Sequence, residues 1–350
     1  MIGRWLTAAG LLVVMVAFGV GVYFFWGTQR HGQRVGQQAM TPDKTKPKLS
    51  LPGTLIVAQG GTLYRMQSGS FKAIASGGWT QPAALPDHQH LVAVKRGYNS
   101  SDLFLLDTSG KVLEQLTQNA SGDVPQNHWS FYPRVTPDGR TLFYDYDEKT
   151  CNGCYQVDLS IFAMPMDGSQ NAAHAWTQPN AGTGGDVQPQ VAPGGGIVYA
   201  KYALDPNTSQ MFSQLWLNRW AGSPGMALTS TSQNCNAPAV SPDGKQIAMI
   251  CSQGGQTTQL VVAPVQADGS LGQAAVVAKG VIASPAWSPD GRGLLYLQPE
   301  QPTGHFQLFY MQVPPAPSPG RAAPAANTTP APQEVTDRND FDATSPPAWF

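Results

Sequence analysis

Proline stands four residues before proline at five places in this chain: Pro82 and Pro86, Pro133 and Pro137, Pro189 and Pro193, Pro238 and Pro242, Pro285 and Pro289. A sixth first proline, Pro347, has no partner before Phe350, and Leu51-Pro52-Gly53 reads as the missing second half. The first prolines lie 51, 56, 49, 47 and 62 residues apart. That period suits a unit of four short strands, not a helical repeat of about 34 residues. A repeat divided between the two ends of a sequence is what a closed ring of units produces.

The second proline opens a tight turn: Thr136-Pro137-Asp138-Gly139, Ser241-Pro242-Asp243-Gly244 and Ser288-Pro289-Asp290-Gly291, with weaker copies at Leu85-Pro86-Asp87-His88 and Ala192-Pro193-Gly194-Gly195. Proline presets φ, aspartate bonds its own backbone, and glycine accepts φ > 0. An apolar run follows each turn, such as Leu91-Val92-Ala93-Val94 or Ile247-Ala248-Met249-Ile250, and Leu55-Ile56-Val57 serves the split copy. Bounded by turn residues, these runs predict buried strands. A polar residue before two large apolar ones comes next, as in Asp102-Leu103-Phe104 and Gln307-Leu308-Phe309. A fourth strand often ends in threonine: Leu116-Thr117, Trp176-Thr177, Leu228-Thr229, Val335-Thr336. Helical periodicity is not found after residue 50. A lone four-stranded meander cannot bury both faces, whereas six packed radially can. The expected fold is therefore an all-β, six-bladed β-propeller over residues 53–350. The C-terminal strand, within 344–350, would close the ring beside strands from residues 53–77.

These residues resemble the WD-like propeller repeat of the TolB family, marked by a Ser-Pro-Asp-Gly turn after a Pro-x-Trp strand. Ser284 to Arg292 matches almost fully, Ala237 to Lys245 and Tyr132 to Arg140 match well, and residues 186–200 and 81–94 match loosely. The resemblance spans about residues 51–350 and implies the fold more strongly than the activity. TolB pairs its propeller with an α/β domain, and the pattern of such a domain is not found in this sequence.

Glycine (37) and proline (30) are abundant, only 12% of residues are charged, and 41% are hydrophobic, with nine tryptophans. That suits a loop-rich β protein with a real core. The net charge of −1 and the lack of a basic stripe argue against nucleic-acid binding.

After a short flank at residues 1–4, Trp5 to Trp26 carries no charge. As a helix it would extend about 33 Å, enough for a hydrocarbon core of about 30 Å. Trp5, Tyr23 and Trp26 suit the interfaces. Tyr23-Phe24-Phe25-Trp26 stands where a cleaved signal needs small residues, so an uncleaved transmembrane anchor in the lipid bilayer is expected. Residues 27–52 read as a polar linker. Arg30, Arg34 and later lysines would keep the propeller cytoplasmic by the positive-inside rule. The cysteines argue the opposite. Cys235 and Cys251 are equidistant from the turn at Asp243, and Cys151-Asn152-Gly153-Cys154 sits at an expected hairpin tip. Two pairable sets predict disulfides and an oxidising compartment, hence a single-pass protein with its propeller on the extracytoplasmic side of a cell membrane.

Candidate chemistry is sparse. Cys151 and Cys154 could form a redox centre or half a zinc site, but a position between strands favours a structural disulfide. Asp145, Asp147 and Glu148 could bind calcium or act as acid and base, with Asp145 and Asp147 on one strand face; a solvated strand end is the favoured reading. His88 and His90 near a turn read as surface residues. Asn99, Asn119, Asn207 and Asn327 head glycosylation triplets. Pro314 to Pro332 reads as an extended solvated loop. A Gly-x-Ser-x-Gly elbow is missing. The expected inner strands carry Pro, Ala, Val and Gln, with Arg134 the only charge. No catalytic, cofactor or metal residues emerge, so a non-enzymatic module for a protein or peptide partner is expected. The rival is a lyase or hydrolase with its site at the channel mouth.

Overall fold

The six apolar runs become the second strands of six sheets, and they are buried on both faces because each sheet lies between two others. The computed structural model describes residue 49 and residues 51–67, 70–149, 157–168, 170–252, 257–301, 304–314 and 331–350. Among them are six four-stranded antiparallel sheets and three short 3-10 turns. The fold is an all-β six-bladed propeller.

Blade 1 is ordered Ala348–Trp349, Leu55–Gln59, Thr62–Gln67, Ser70–Ser76, so it joins material from both ends of the sequence. Ile56 faces Ala348 and Leu55 faces Trp349. Blades 2 to 6 are simple meanders whose inner strands are Trp79–Ala84, Ser130–Val135, Asp186–Val191, Cys235–Val240 and Ala283–Trp287. Every inner strand touches the inner strand of the blade before it and of the blade after it.

The core is divided into six clusters, each shared by two neighbouring blades. Leu63 and Ile56 of blade 1 meet Leu91 and Ala93 of blade 2. Tyr296 and Leu294 of blade 6 meet Ala248 and Leu260 of blade 5. A blade therefore has no apolar interior of its own. Leu49 and Leu51, expected in the polar linker, are partly buried against the blade 6 and blade 1 cluster. Packing with the propeller thus begins before residue 53. The linker gave no sign of this because two leucines separated by one residue set up no pattern. The expected membrane span at residues 5–26 lies outside the described residues. Among the described residues no helix is long and apolar enough to cross a membrane.

The Pro-Asp-Gly turns form as their chemistry dictates. Gly244 N donates to Ser241 O at 2.8 Å, and Gly244 takes φ +70. The Asp243 carboxylate accepts from Ser241 Oγ at 2.7 Å and Lys245 N at 3.0 Å. In the weaker copy, His88 stands in the glycine place at φ +56. The strand-ending threonines have a shared task. The hydroxyls of Thr117, Thr177, Thr229 and Thr336 accept the amides of Leu103, Ile161, Leu215 and Leu308 at 2.9 to 3.1 Å. Each satisfies a third-strand amide just where the short fourth strand ends.

The first prolines mark bulges. In blades 2 to 6 the pairs Gln81-Pro82, Tyr132-Pro133, Gln188-Pro189, Ala237-Pro238 and Ser284-Pro285 sit where the register of the inner strand shifts. The residue before each proline has φ between +47 and +60. Proline lacks an N–H and fits an edge or bulge. A left-handed conformation in a non-glycine residue costs about 1–3 kcal/mol. That cost is offset by hydrogen bonds between blades. Gln81 N donates to Ser345 Oγ at 2.7 Å, Tyr132 N to Gln81 Oε1 at 2.8 Å, and Ala237 N to Gln188 Oε1 at 2.9 Å. Gln188 N meets both oxygens of Asp145 at 3.1 Å. Pro346 holds the equivalent place in blade 1, and its ring excludes positive φ.

Replacing Gln188 by alanine strands the Ala237 amide. The expected loss of stability is about 1–3 kcal/mol in urea denaturation. Replacing Leu294, fully buried between blades 5 and 6, by alanine should cost about 2–5 kcal/mol.

Candidate functional site

The six inner strands leave an axial cavity of about 230 Å³ between them, on the side of the Pro-Asp-Gly turns. Its walls are Pro82, Ala83, Pro285, Ala286, Pro346, Pro347 and similar residues, with Trp287 and Trp349. Each indole N–H is occupied by backbone: Trp287 Nε1 donates to Ala239 O at 2.9 Å and Trp349 Nε1 to Pro52 O at 2.7 Å. Among the described residues Arg134 is the one charged wall residue. It keeps partial exposure although protein surrounds it, so that exposure faces the channel.

Behind Arg134 lies a polar cluster spanning blades 3 and 4. Asp145, expected at a solvated strand end, is fully buried, as is Asp147. The second strand of blade 3 continues between its neighbours farther than its acidic sequence suggested. Blade 4 covers it, and the Gln188 amide occupies the Asp145 carboxylate. Burial pushes the Asp145 carboxyl well above the carboxylate range, with Arg134 opposing that shift. Burial likewise raises Asp147, whose Oδ2 has no hydrogen-bond partner among the described residues; Lys149 Nζ stands 3.9 Å away. The Tyr132 phenol, pushed up to about 12 mainly by burial, bonds the Gln188 side chain. Burial also pulls the Arg134 guanidinium down to about 10, against the attraction of Asp145.

Asp186 is a residue that the sequence reading missed. It opens the inner strand of blade 4, so Arg134 is not the only charge on the inner strands. Lys201 Nζ lies 3.0 Å from its Oδ1. Burial raises the Asp186 carboxyl to about 6, with Lys201 opposing the rise. The signal was available: Asp186 and Lys201 are equidistant from the Pro193-Gly194 turn, as Cys235 and Cys251 are from Asp243. The structure places Cys235 opposite Cys251 in the ladder and joins them in a disulfide. Cys151 and Cys154 lie outside the described residues.

His90 Nδ1 pairs with Asp87 Oδ2 at 2.6 Å on an exposed turn, and His88 lies against the Phe350 ring. Among the described residues no group of three or more His, Cys, Asp or Glu is placed to hold a metal. Asn119 cannot serve as a glycan acceptor as it stands. It is buried, and its Nδ2 donates to Ser101 O and Ser130 Oγ, both at 2.7 Å.

The sequence pattern of the TolB β-propeller domain matches residues 54–289, two thirds of the chain. The chain belongs to the TolB β-propeller family. No curated protein matches its sequence. Among solved structures, TolB from Acinetobacter baumannii superposes with a TM-score of 0.60 at 16% identity, over 85% of this chain and 66% of that one. A protein from Agrobacterium tumefaciens assigned as TolB gives 0.52 at 21% identity, over 70% and 86%. A puromycin hydrolase gives 0.50 at 18% identity, over 73% of this chain and 39% of that one. Identities this low establish the shared fold alone. The same fold thus occurs within chains that extend well beyond it, such as the puromycin hydrolase.

Two expectations can be measured. Joint replacement of Cys235 and Cys251 by alanine opens a loop with a sequence separation of 16 and should cost about 3 kcal/mol in denaturant unfolding. A carboxyl group whose folded pKa exceeds its unfolded value stabilises below the unfolded value, about 4. That contribution is lost as pH rises past the folded value, here about 6. From pH 4 to pH 7 the wild type should therefore lose roughly 2–3 kcal/mol relative to Asp186→Asn. A difference independent of pH would refute the strained burial of Asp186.

Proposed function

We propose that this chain is a membrane-anchored propeller on the extracytoplasmic side of a cell membrane, and that it binds a protein or peptide partner at the cavity face of its ring. One observation carries the binding role: an axial cavity walled by all six inner strands, lined largely with proline and alanine, with Arg134 its one charge among the described residues. Such walls supply shape and a little charge but no nucleophile or proton-transfer pair. The nearby acids are engaged elsewhere, Asp145 by the Gln188 amide and Asp186 by Lys201. This weighs against a lyase or hydrolase at the channel mouth. The TolB-like repeat favours a partner-binding role, and this part of the reading rests on kinship of fold.

The anchor rests on the uncharged run from Trp5 to Trp26. The outward orientation rests on the Cys235–Cys251 disulfide, a bond that persists in oxidising compartments. A further part of the proposal concerns closure: residues 344–350 hold the ring shut. Thr54 N donates to Phe350 O at 2.7 Å, Phe350 N to Thr54 O at 3.0 Å, and Ser345 receives the Gln81 amide.

Crosslinking on intact cells of the native host, followed by mass spectrometry, should recover a protein joined to loops around the cavity; crosslinks confined to the opposite face would refute this docking site. Protease added to intact spheroplasts should digest the region after residue 27, and full protection would place the propeller in the cytoplasm. Deletion of residues 344–350 should lower the thermal midpoint by at least about 5–10 °C. An unchanged midpoint would show that the terminal strand is dispensable for closure.

A further inference from the structure

We propose that Arg134 makes the axial cavity a carboxylate-binding subsite, which receives an acidic group carried on a slender segment of a protein partner. The subsite presupposes the partner-binding role above and names the chemistry that the cavity selects.

Arg134 is set up for an anion it does not yet hold. The hydrogen bond it makes runs from Nη1 to Pro133 O at 2.8 Å. A guanidinium has five N–H donors in a planar fork that matches a carboxylate. Among the described residues no carboxylate stands within ion-pair distance of it. Asp145 acts on it through space, yet both Asp145 oxygens face the Gln188 amide. Burial also favours the neutral form of Asp145, which leaves the positive charge of Arg134 weakly compensated.

The surroundings decide which ligand fits. Apart from Gln190 and Arg134 the wall side chains are Pro, Ala, Val and Trp. Both indole N–H groups are already bonded to backbone. Few competing side-chain donors remain, so one acidic group flanked by small residues meets a single charged partner among otherwise uncharged side chains. Partly enclosed by protein, a bidentate Arg–carboxylate pair is stronger than on an open surface. A cavity of about 230 Å³ walled by six strands has room for a few small residues and not for a folded domain. An acid at the tip of an extended segment can reach Arg134.

The test uses the full chain in detergent micelles and isothermal titration with two pairs of synthetic peptides. One pair is acetyl-Ala-Glu-Ala-amide and its Gln counterpart. The other is acetyl-Ala-Ala with a free carboxyl end and the same dipeptide as an amide. We expect the acidic member of at least one pair to bind at least tenfold more tightly than its neutral mate, with the preference shrinking as salt rises. The pair that shows it tells a side-chain carboxylate from a chain-terminal one. Arg134→Met should abolish the preference, and Arg134→Lys should restore part of it. Equal binding within both pairs, no binding of any peptide, or a preference that survives Arg134→Met overturns the subsite. Sodium sulfate binding more tightly than every peptide would reassign the site to a free inorganic anion and overturn the segment. If Arg134→Met fails to fold, the peptide pairs on the unaltered chain still decide. A partner found by crosslinking together with equal peptide binding would sink the subsite alone and leave the partner-binding role standing.

Discussion

The ring is organised around backbone amides that point out of their own sheets. At each bulge before a first proline the chain takes positive φ, and the amide leaves its ladder. A buried amide without an acceptor costs about 1–3 kcal/mol, so it must be received elsewhere. In blades 2 to 5 the receiver is a side chain of the preceding blade: Ser345, Gln81, Asp145 and Gln188 in turn. Backbone strain in one sheet is thereby relieved only when its neighbour is in place. Together with cores shared between adjacent sheets, this couples each blade to the next more tightly than apolar contact alone. Ala237 has no side chain to extend the relay to Ser284. There the indole of Trp287 crosses to Ala239 O instead, which gives the Pro-x-Trp signature a structural reason.

Much of the fold was legible because its punctuation is chemical. Proline at the bulge, aspartate and glycine at the turn, and threonine at the strand end each answer a backbone requirement that few residues can meet. The positive φ at Gln81, Tyr132 and Ala237 was not legible, since these residues give no hint of it and proline two atoms further on disfavours only one region of backbone space. The inner-strand location of Cys235 could be read by counting from the turn, and the same counting would have paired Asp186 with Lys201. Asp145 was misread because an acid near a strand end is usually solvated. Its burial depends on blade 4, a long-range neighbour that no local pattern reports.

Function is less legible for a physical reason. The residues that define a propeller serve its ladders and turns, so they recur in binding proteins and enzymes alike. What distinguishes one member is what stands at the axis. Here the axis is lined by residues chosen for size, with one cation held in place by the chain that precedes it. The cluster of Tyr132, Asp145, Gln188, Asp186 and Lys201 then reads as the foundation of that cation and of the blade 3 to blade 4 joint.

The mixed composition of blade 1 also bears on synthesis. Leu55–Gln59 is made well before its ladder neighbour Ala348–Trp349, which lies about 290 residues further along the chain. At about 5–20 residues per second a ribosome needs roughly 15–60 s to bridge that gap. Through that interval one edge of the first sheet, with Ile56 beside it, stays open to stray strands. A chaperone acting on the nascent protein would have its most useful target there.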